Sequence, residues 1–140
     1  MENKDFKLME IPKWGRYLRE KWLESFAGHL TSEEQKGIYM DSFLWHLCSY
    51  EKVICLEKQE ALKAFNRRKK NKCTIFYQFI NEAYVVQNAE HLKLKDLPYE
   101  NGSWEYADMY IMDWENKWTF IMTHENDSHD SLGPYFIEKS

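Results

Sequence analysis

The sequence predicts a single α+β domain, with N-terminal helices packed on one face of a mostly antiparallel sheet that ends in a C-terminal β-hairpin. Three observations carry this expectation. Helix-spaced apolar stripes fill the first half of the chain, and β-branched and aromatic runs fill the second. Too few alternating strand–helix units are present to build a parallel sheet. The 140 residues fit one domain, 1–140, and a chain of that size buries about two-thirds of the surface its unfolded form exposes. With 44% hydrophobic and 30% charged residues, enough apolar surface exists to offset chain entropy, which favours a globular fold over disorder. No repeat, low-complexity tract or linker divides the chain.

The first helix is expected from Pro12 to about His29. Trp14, Leu18, Trp22, Phe26 and Leu30 recur every four residues with Tyr17 beside them, Pro12 suits a first turn, and Gly28 marks the end. Thr31-Ser32-Glu33-Glu34 then forms a capping box, in which a hydroxyl and a carboxylate each satisfy a free backbone N–H. It opens a second helix expected to reach Cys48, with Ile38, Ser42 and Trp45 on one face and Tyr39, Phe43 and Leu47 on the next. Val53 to Leu56 reads as a short strand or a buried turn.

A third helix is expected from about Lys58 to Lys69, its end marked by the cations Arg67 to Lys72 at the negative end of the helix dipole. Cys73 to Phe79 is β-branched and aromatic and reads as a strand. Ala83 to Val86 fits a strand, and Glu82 to Glu90 fits a helix equally well. Glu90 to Leu97 reads as a short helix closed by Pro98, followed by an exposed loop from Tyr99 to Tyr106. The clearest element is the hairpin made by Asp108–Asp113 and Lys117–Thr123 around Trp114-Glu115-Asn116. A polar loop, His124 to Ser131, leads to a last strand-like run at Tyr135-Phe136-Ile137.

Charge narrows the partners. Nineteen basic against 23 acidic residues give a net charge of -4, so no overall field draws the chain to phosphate backbones or anionic lipid. Nucleic-acid binding is therefore disfavoured. No apolar run is long enough to span a bilayer, and Met1 to Lys7 lacks an export-signal core, so a cytoplasmic address and no membrane partner are expected. Three cysteines, an odd number without a CxxC pair, suit reduced thiols better than a disulfide framework.

Few residues announce chemistry. His124, Glu125, Asp127 and His129 lie close together, and imidazole with carboxylate suits a divalent metal or proton transfer. His124 and His129 are five apart, however, not the four that place two imidazoles on one helical turn, so a solvated loop competes with a site. Cys48, Cys55, Cys73 and His46 contain zinc-ligand types, yet His46 and Cys48 would project about 200° apart on a helix. Buried thiols are the simpler reading. Arg67 to Lys72 offers an RNA-binding patch, set against a helix end that already explains the cations. Asp41, Glu51 and Glu57 are scattered acids. No phosphate loop or nucleophile elbow is present, no cofactor is expected, and the reading leans away from an enzyme. Trp104, Tyr106, Trp114 and Tyr135 lie in or beside predicted loops, where Trp and Tyr either mark a protein contact surface or fold back over the sheet edge.

Phe43 to Lys52, Ala64-Phe65-Asn66, Phe76-Tyr77-Gln78, Trp118-Thr119-Phe120, Thr123-His124-Glu125 and Gly133-Pro134-Tyr135-Phe136 together resemble a family of small proteins of Gram-positive, spore-forming bacteria, the domain of unknown function number 4275. The resemblance spans nearly the whole chain and implies no activity. The closing pattern is also similar to the C-terminal hairpins of small immunity proteins, which neutralise a toxin. Together these features lead to the expectation of a non-enzymatic protein-binding domain, of the immunity type, with a toxin-like partner and self-association left open. The alternative is a small metal-binding protein or hydrolase-like enzyme using residues 124–130.

Overall fold

The computed structural model of the chain describes residues 7–11, 13–92, 108–123 and 134–139. The described residues form four helices and one seven-stranded sheet, all of whose pairings are antiparallel, and the α+β class is as the sequence predicts.

Strand β1 (Lys7–Glu10), which the sequence pattern did not signal, precedes helix α1 (Gly15–Phe26). Leu18, Trp22 and Phe26 are buried along α1 as their spacing requires. A spacing of four overshoots the helical period by about 40° per step, so the ends of the predicted stripe rotate off the core. Trp14 lies just before the helix and is 43% exposed; Tyr17, about 100° round from Leu18, is 50% exposed. Gly15 sits against the backbone after β3, where its N–H donates to Asn81 O at 3.0 Å.

The capping box forms as written. Thr31 Oγ1 accepts from Glu34 N at 3.1 Å, and the Glu34 carboxylate accepts from Thr31 N at 2.9 Å. The helix it starts, α2 (Ser32–Gly37), stops after six residues, which corrects the expectation of a helix reaching Cys48. Gly37, β-branched Ile38, Asp41 and Ser42 are weak helix formers, and Tyr39 adopts a left-handed φ of 60°. The chain turns back there, so that Met40, Leu44 and Trp45 enter the core before the one-turn helix α3 (His46–Ser49).

Strand β2 (Leu56–Glu57) is a two-residue edge, and α4 (Lys58–Arg67) follows it directly. Strands β3 (Lys72–Tyr77), β4 (Ala83–Gln87), β5 (Met109–Asp113), β6 (Trp118–Met122) and β7 (Tyr135–Glu138) complete a sheet of order β1-β4-β3-β5-β6-β7-β2. The ambiguous segment at Ala83 is thus a strand, pairing β3 on one side and β1 on the other. Of the helix expected at Glu90–Leu97, the described part is one tight turn at Ala89–His91. The predicted hairpin joins β5 to β6, where Asn116 takes a left-handed φ of 61° and Asp113 Oδ2 accepts from Lys117 N.

Alternation along the strands makes two cores. Phe76, Ala83, Tyr110, Met112, Ile121, Tyr135 and Ile137 face α1 and the segment 38–48. Cys73, Ile75, Tyr77, Val86, Ile111, Trp118, Phe120 and Phe136 face Ala61 and Phe65 of α4. Helix α1 and the 38–48 segment share one face as expected, whereas α4, which the expectation also placed there, covers the other: Ala61 and Phe65 meet the side chains that strand alternation turns away from α1. Polar pins cross the first core. Trp22 Nε1 donates to Thr119 Oγ1 at 3.0 Å, and that hydroxyl donates to Ile111 O at 2.8 Å. Gln78 Oε1 accepts from Leu44 N and from the Tyr110 hydroxyl, while Trp45 N donates to the Tyr110 oxygen.

Glycine at position 15 is needed for space. A Cβ there would meet Asn81 Cα at 2.7 Å and Ile80 O at 2.8 Å, both backbone atoms that cannot swing aside. Helix propensity alone predicts that Gly15→Ala stabilises by about 1 kcal/mol. Overpacking predicts the opposite, a loss of about 1–3 kcal/mol read as a lower urea midpoint at unchanged slope. We expect the loss.

Candidate functional site

Of the residues singled out from sequence, His124, Glu125, Asp127, His129, Trp104 and Tyr106 lie outside the described residues. Tyr135 is described and is only 2% exposed. It sits on β7 with its ring stacked on Trp45, which corrects the expectation of a surface aromatic: strand alternation turns it into the first core. Trp114 is at the surface, 46% exposed at the tip of the β5–β6 hairpin.

The cysteines also differ from expectation. Cys48 and Cys55 form a disulfide with their Cα atoms 5.9 Å apart, because the turn after α3, with Glu51 at a φ of 56°, brings the chain back on itself. A Cys3His zinc site is thereby removed, and among the described residues no cluster of metal-ligating side chains remains. His46 Nδ1 donates to Ile38 O at 2.6 Å, a structural role in closing the turn after α2. Cys73 is the free cysteine, and burial pushes its thiol up to about 12.

The basic run does not form a patch. Arg68 pairs with Glu138, the buried Lys70 places its ammonium over the Phe65 ring, and Lys72 places its own over Trp114, 3.6 Å from the ring centroid. Arg67 and Lys69 are the exposed members. Arg19, whose guanidinium is lowered by burial, donates to Tyr77 O, Ile80 O and Asn81 Oδ1 and so ties α1 to the loop after β3. Tyr110 is raised well above the ordinary phenol range, first by burial and then by the Asp108 charge. Cys73 and Tyr110 lie inside the cores, where displaced protonation serves packing.

Three of the exposed aromatics gather at one place, while Tyr39, Tyr50 and Phe79 lie elsewhere on the surface. Trp14 and Tyr17 meet edge to face, with centroids 5.3 Å apart, and together with Trp114 they border a cavity of about 180 Å³ between α1 and the β5–β6 hairpin. Leu18, Thr74 and Met112 also line it, and Lys21, Asp113 and Asn116 supply its polar rim. Three large rings from chain segments about a hundred positions apart thus converge on one concavity, and the Lys72 cation fixes the orientation of one of them. The sequence signalled Trp114 through its place in a hairpin loop. Trp14 and Tyr17 were missed because their periodicity assigned them to the buried stripe.

The chain belongs to the family described as Domain of unknown function (DUF4275), whose model matches residues 1–136. No curated protein and no solved structure matches it. No helix of the described residues is long and apolar enough to cross a membrane.

Thiol chemistry tests this placement of the cysteines. The native protein should give no reaction with a thiol reagent, the unfolded but unreduced protein one thiol, and the reduced, unfolded protein all three. The folded state favours the protonated thiol of Cys73 and the protonated phenol of Tyr110, so their contribution to stability is complete below the unfolded values. It is lost as pH rises through the folded ones. Urea midpoints should therefore fall above about pH 8.5, and the fall should be shallower in Cys73→Val.

Proposed function

We propose that this member of the family is a non-enzymatic protein-binding domain of the immunity type, which neutralises a toxin-like protein by engaging it through the Trp14, Tyr17 and Trp114 face. The convergence of those three half-exposed rings on one concavity carries the reading. Trp and Tyr bring large contact area with few rotatable bonds, and such residues dominate binding energy when a partner excludes water from them. Here a cation already holds the Trp114 ring and the Tyr17 ring braces Trp14, so less side-chain freedom is lost on docking. The polar rim around an apolar centre is the usual anatomy of a protein interface.

The reading includes a cytoplasmic encounter in a Gram-positive, spore-forming host. The Cys48–Cys55 disulfide argues the other way, since thiols are kept reduced in most cytoplasm. Acid quenching of host cells, followed by alkylation of free thiols in denaturant and mass measurement, separates the two: three modified cysteines support the cytoplasm, and modification of Cys73 alone rules it out as the resting site.

The partner test uses the product of a toxin-like gene adjacent to this one, titrated calorimetrically against the purified domain. Trp14→Ala combined with Trp114→Ala should weaken binding at least about 30-fold, the scale of a single strong anchor. Both rings are surface-placed, so stability should change by no more than about 0.5 kcal/mol per site. Full affinity in the double variant, or no binding by the neighbouring product, would overturn the reading.

A further inference from the structure

A second feature, at the far edge of the sheet, goes beyond the aromatic face. Strand β2 pairs with β7 through two residues, Leu56 opposite Phe136 and Glu57 opposite Tyr135. Carried on in that register, Cys55 would stand opposite Ile137 and Ile54 opposite Glu138. The ladder stops instead, with Cys55 bonded to Cys48 on α3. In the resulting gap lies a cleft of about 790 Å³, floored by Phe136 and Ile137 and walled on one side by Val53 and Ile54. That volume is in the range of ligand sites, and it is the larger of the two clefts described.

The backbone of β7 is turned toward this gap. Lys139 N donates to Lys117 O, so residues 117 and 139 form a hydrogen-bonded pair with β6, and the next pair, Trp118 and Glu138, is the non-bonded one. The amide and carbonyl of Glu138 therefore point away from β6. The bond from Lys58 N to Pro134 O on the β2 side fits the same alternation, in which residues 134, 136 and 138 face outward. Among the described residues, no strand stands opposite Glu138 on that side.

Charge selects what would fill the gap. Arg67, Arg68 and Lys139 line the cleft, and against them stands one carboxylate, Glu138, which Arg68 already pairs. This local cationic excess contrasts with the net charge of -4 of the whole chain. Ile54, 95% exposed at the lip, and Leu56 offer apolar contact to alternate side chains of an extended segment. We propose that the cleft accepts an extended acidic peptide segment of a partner protein, which pairs with Glu138 as an added strand and sets its carboxylates against Arg67, Arg68 and Lys139. Main-chain pairing gives affinity in this mode, and the alternate side chains give specificity.

The probe is a fluorescein-labelled hexapeptide of alternating glutamate and valine, followed by fluorescence anisotropy at low salt. Binding should shift the Glu138 amide in NMR spectra and weaken as salt rises. N-methylation of every second amide should abolish binding in one register and spare it in the other, because alternate amides face β7. Arg67→Glu with Lys139→Glu, both at exposed positions, should weaken binding at least about tenfold while the melting temperature is retained. Trp14→Ala with Trp114→Ala should leave peptide affinity unchanged, which separates failure here from failure of the aromatic face. No binding at low salt, indifference to the N-methyl register, or retained affinity after rim reversal would overturn the proposal. So would tighter binding of a single-stranded oligoribonucleotide at the same residues.

Discussion

Both faces of the strands β3, β5 and β6 have to be covered, and much of the rest of the molecule follows from that. Their side chains are buried almost without interruption on both sides, so a single layer of helices would leave half of them in water. The chain answers by placing α1 and the 38–48 segment on one face and α4 on the other. The crossing from the first layer to the second takes place at the β2 edge. There the pairing with β7 is only two residues long, and a disulfide anchors the turn that leads into it.

In a sheet enclosed on both sides an unpartnered polar group is costly, and this is why polar residues inside it act as locators. The Trp22 indole reaches the hydroxyl of Thr119, and this bond sets the rotation and the height of α1 over the sheet. Gln78 and Tyr110 do the same for the stretch entering α3. Their oxygens take the N–H groups of Leu44 and Trp45, in a segment too irregular to satisfy all its backbone donors itself. Burial raises the Tyr110 phenol, and the proton so retained is donated to Gln78.

What could be read in the sequence was local. The capping box at Thr31, the helix at Lys58, the strand at Cys73 and the hairpin at Trp114 rest on interactions between residues a few positions apart, and all four are present. What could not be read depended on distant partners. Strand β1 has no strong pattern of its own and exists by pairing with β4. The stop at Gly37 is decided by the demand that Met40, Leu44 and Trp45 reach the core, against a stripe that would have continued a helix. Cys48 and Cys55 are separated by seven positions in apolar surroundings, which says nothing of a turn that brings them together. The aromatic face was half legible: Trp114 stood in a visible hairpin, whereas Trp14 and Tyr17 were hidden in a four-residue stripe whose end drifts off the core face of the helix.

The strand order also bears on how the molecule comes into being. Both edges of the sheet, β1 and β2, belong to the first half of the chain, while β3, β5, β6 and β7 come from the second half or its border. The indole of Trp22 waits for a hydroxyl 97 positions later. During synthesis at about 5–20 residues per second, the apolar face of α1 emerges long before any surface that can receive it. For several seconds Leu18, Trp22 and Phe26 therefore have only solvent, one another or a chaperone for company. Non-local pairings of this kind make for slow folding, and the nascent N-terminal half is the stage at which the chain is most exposed to aggregation.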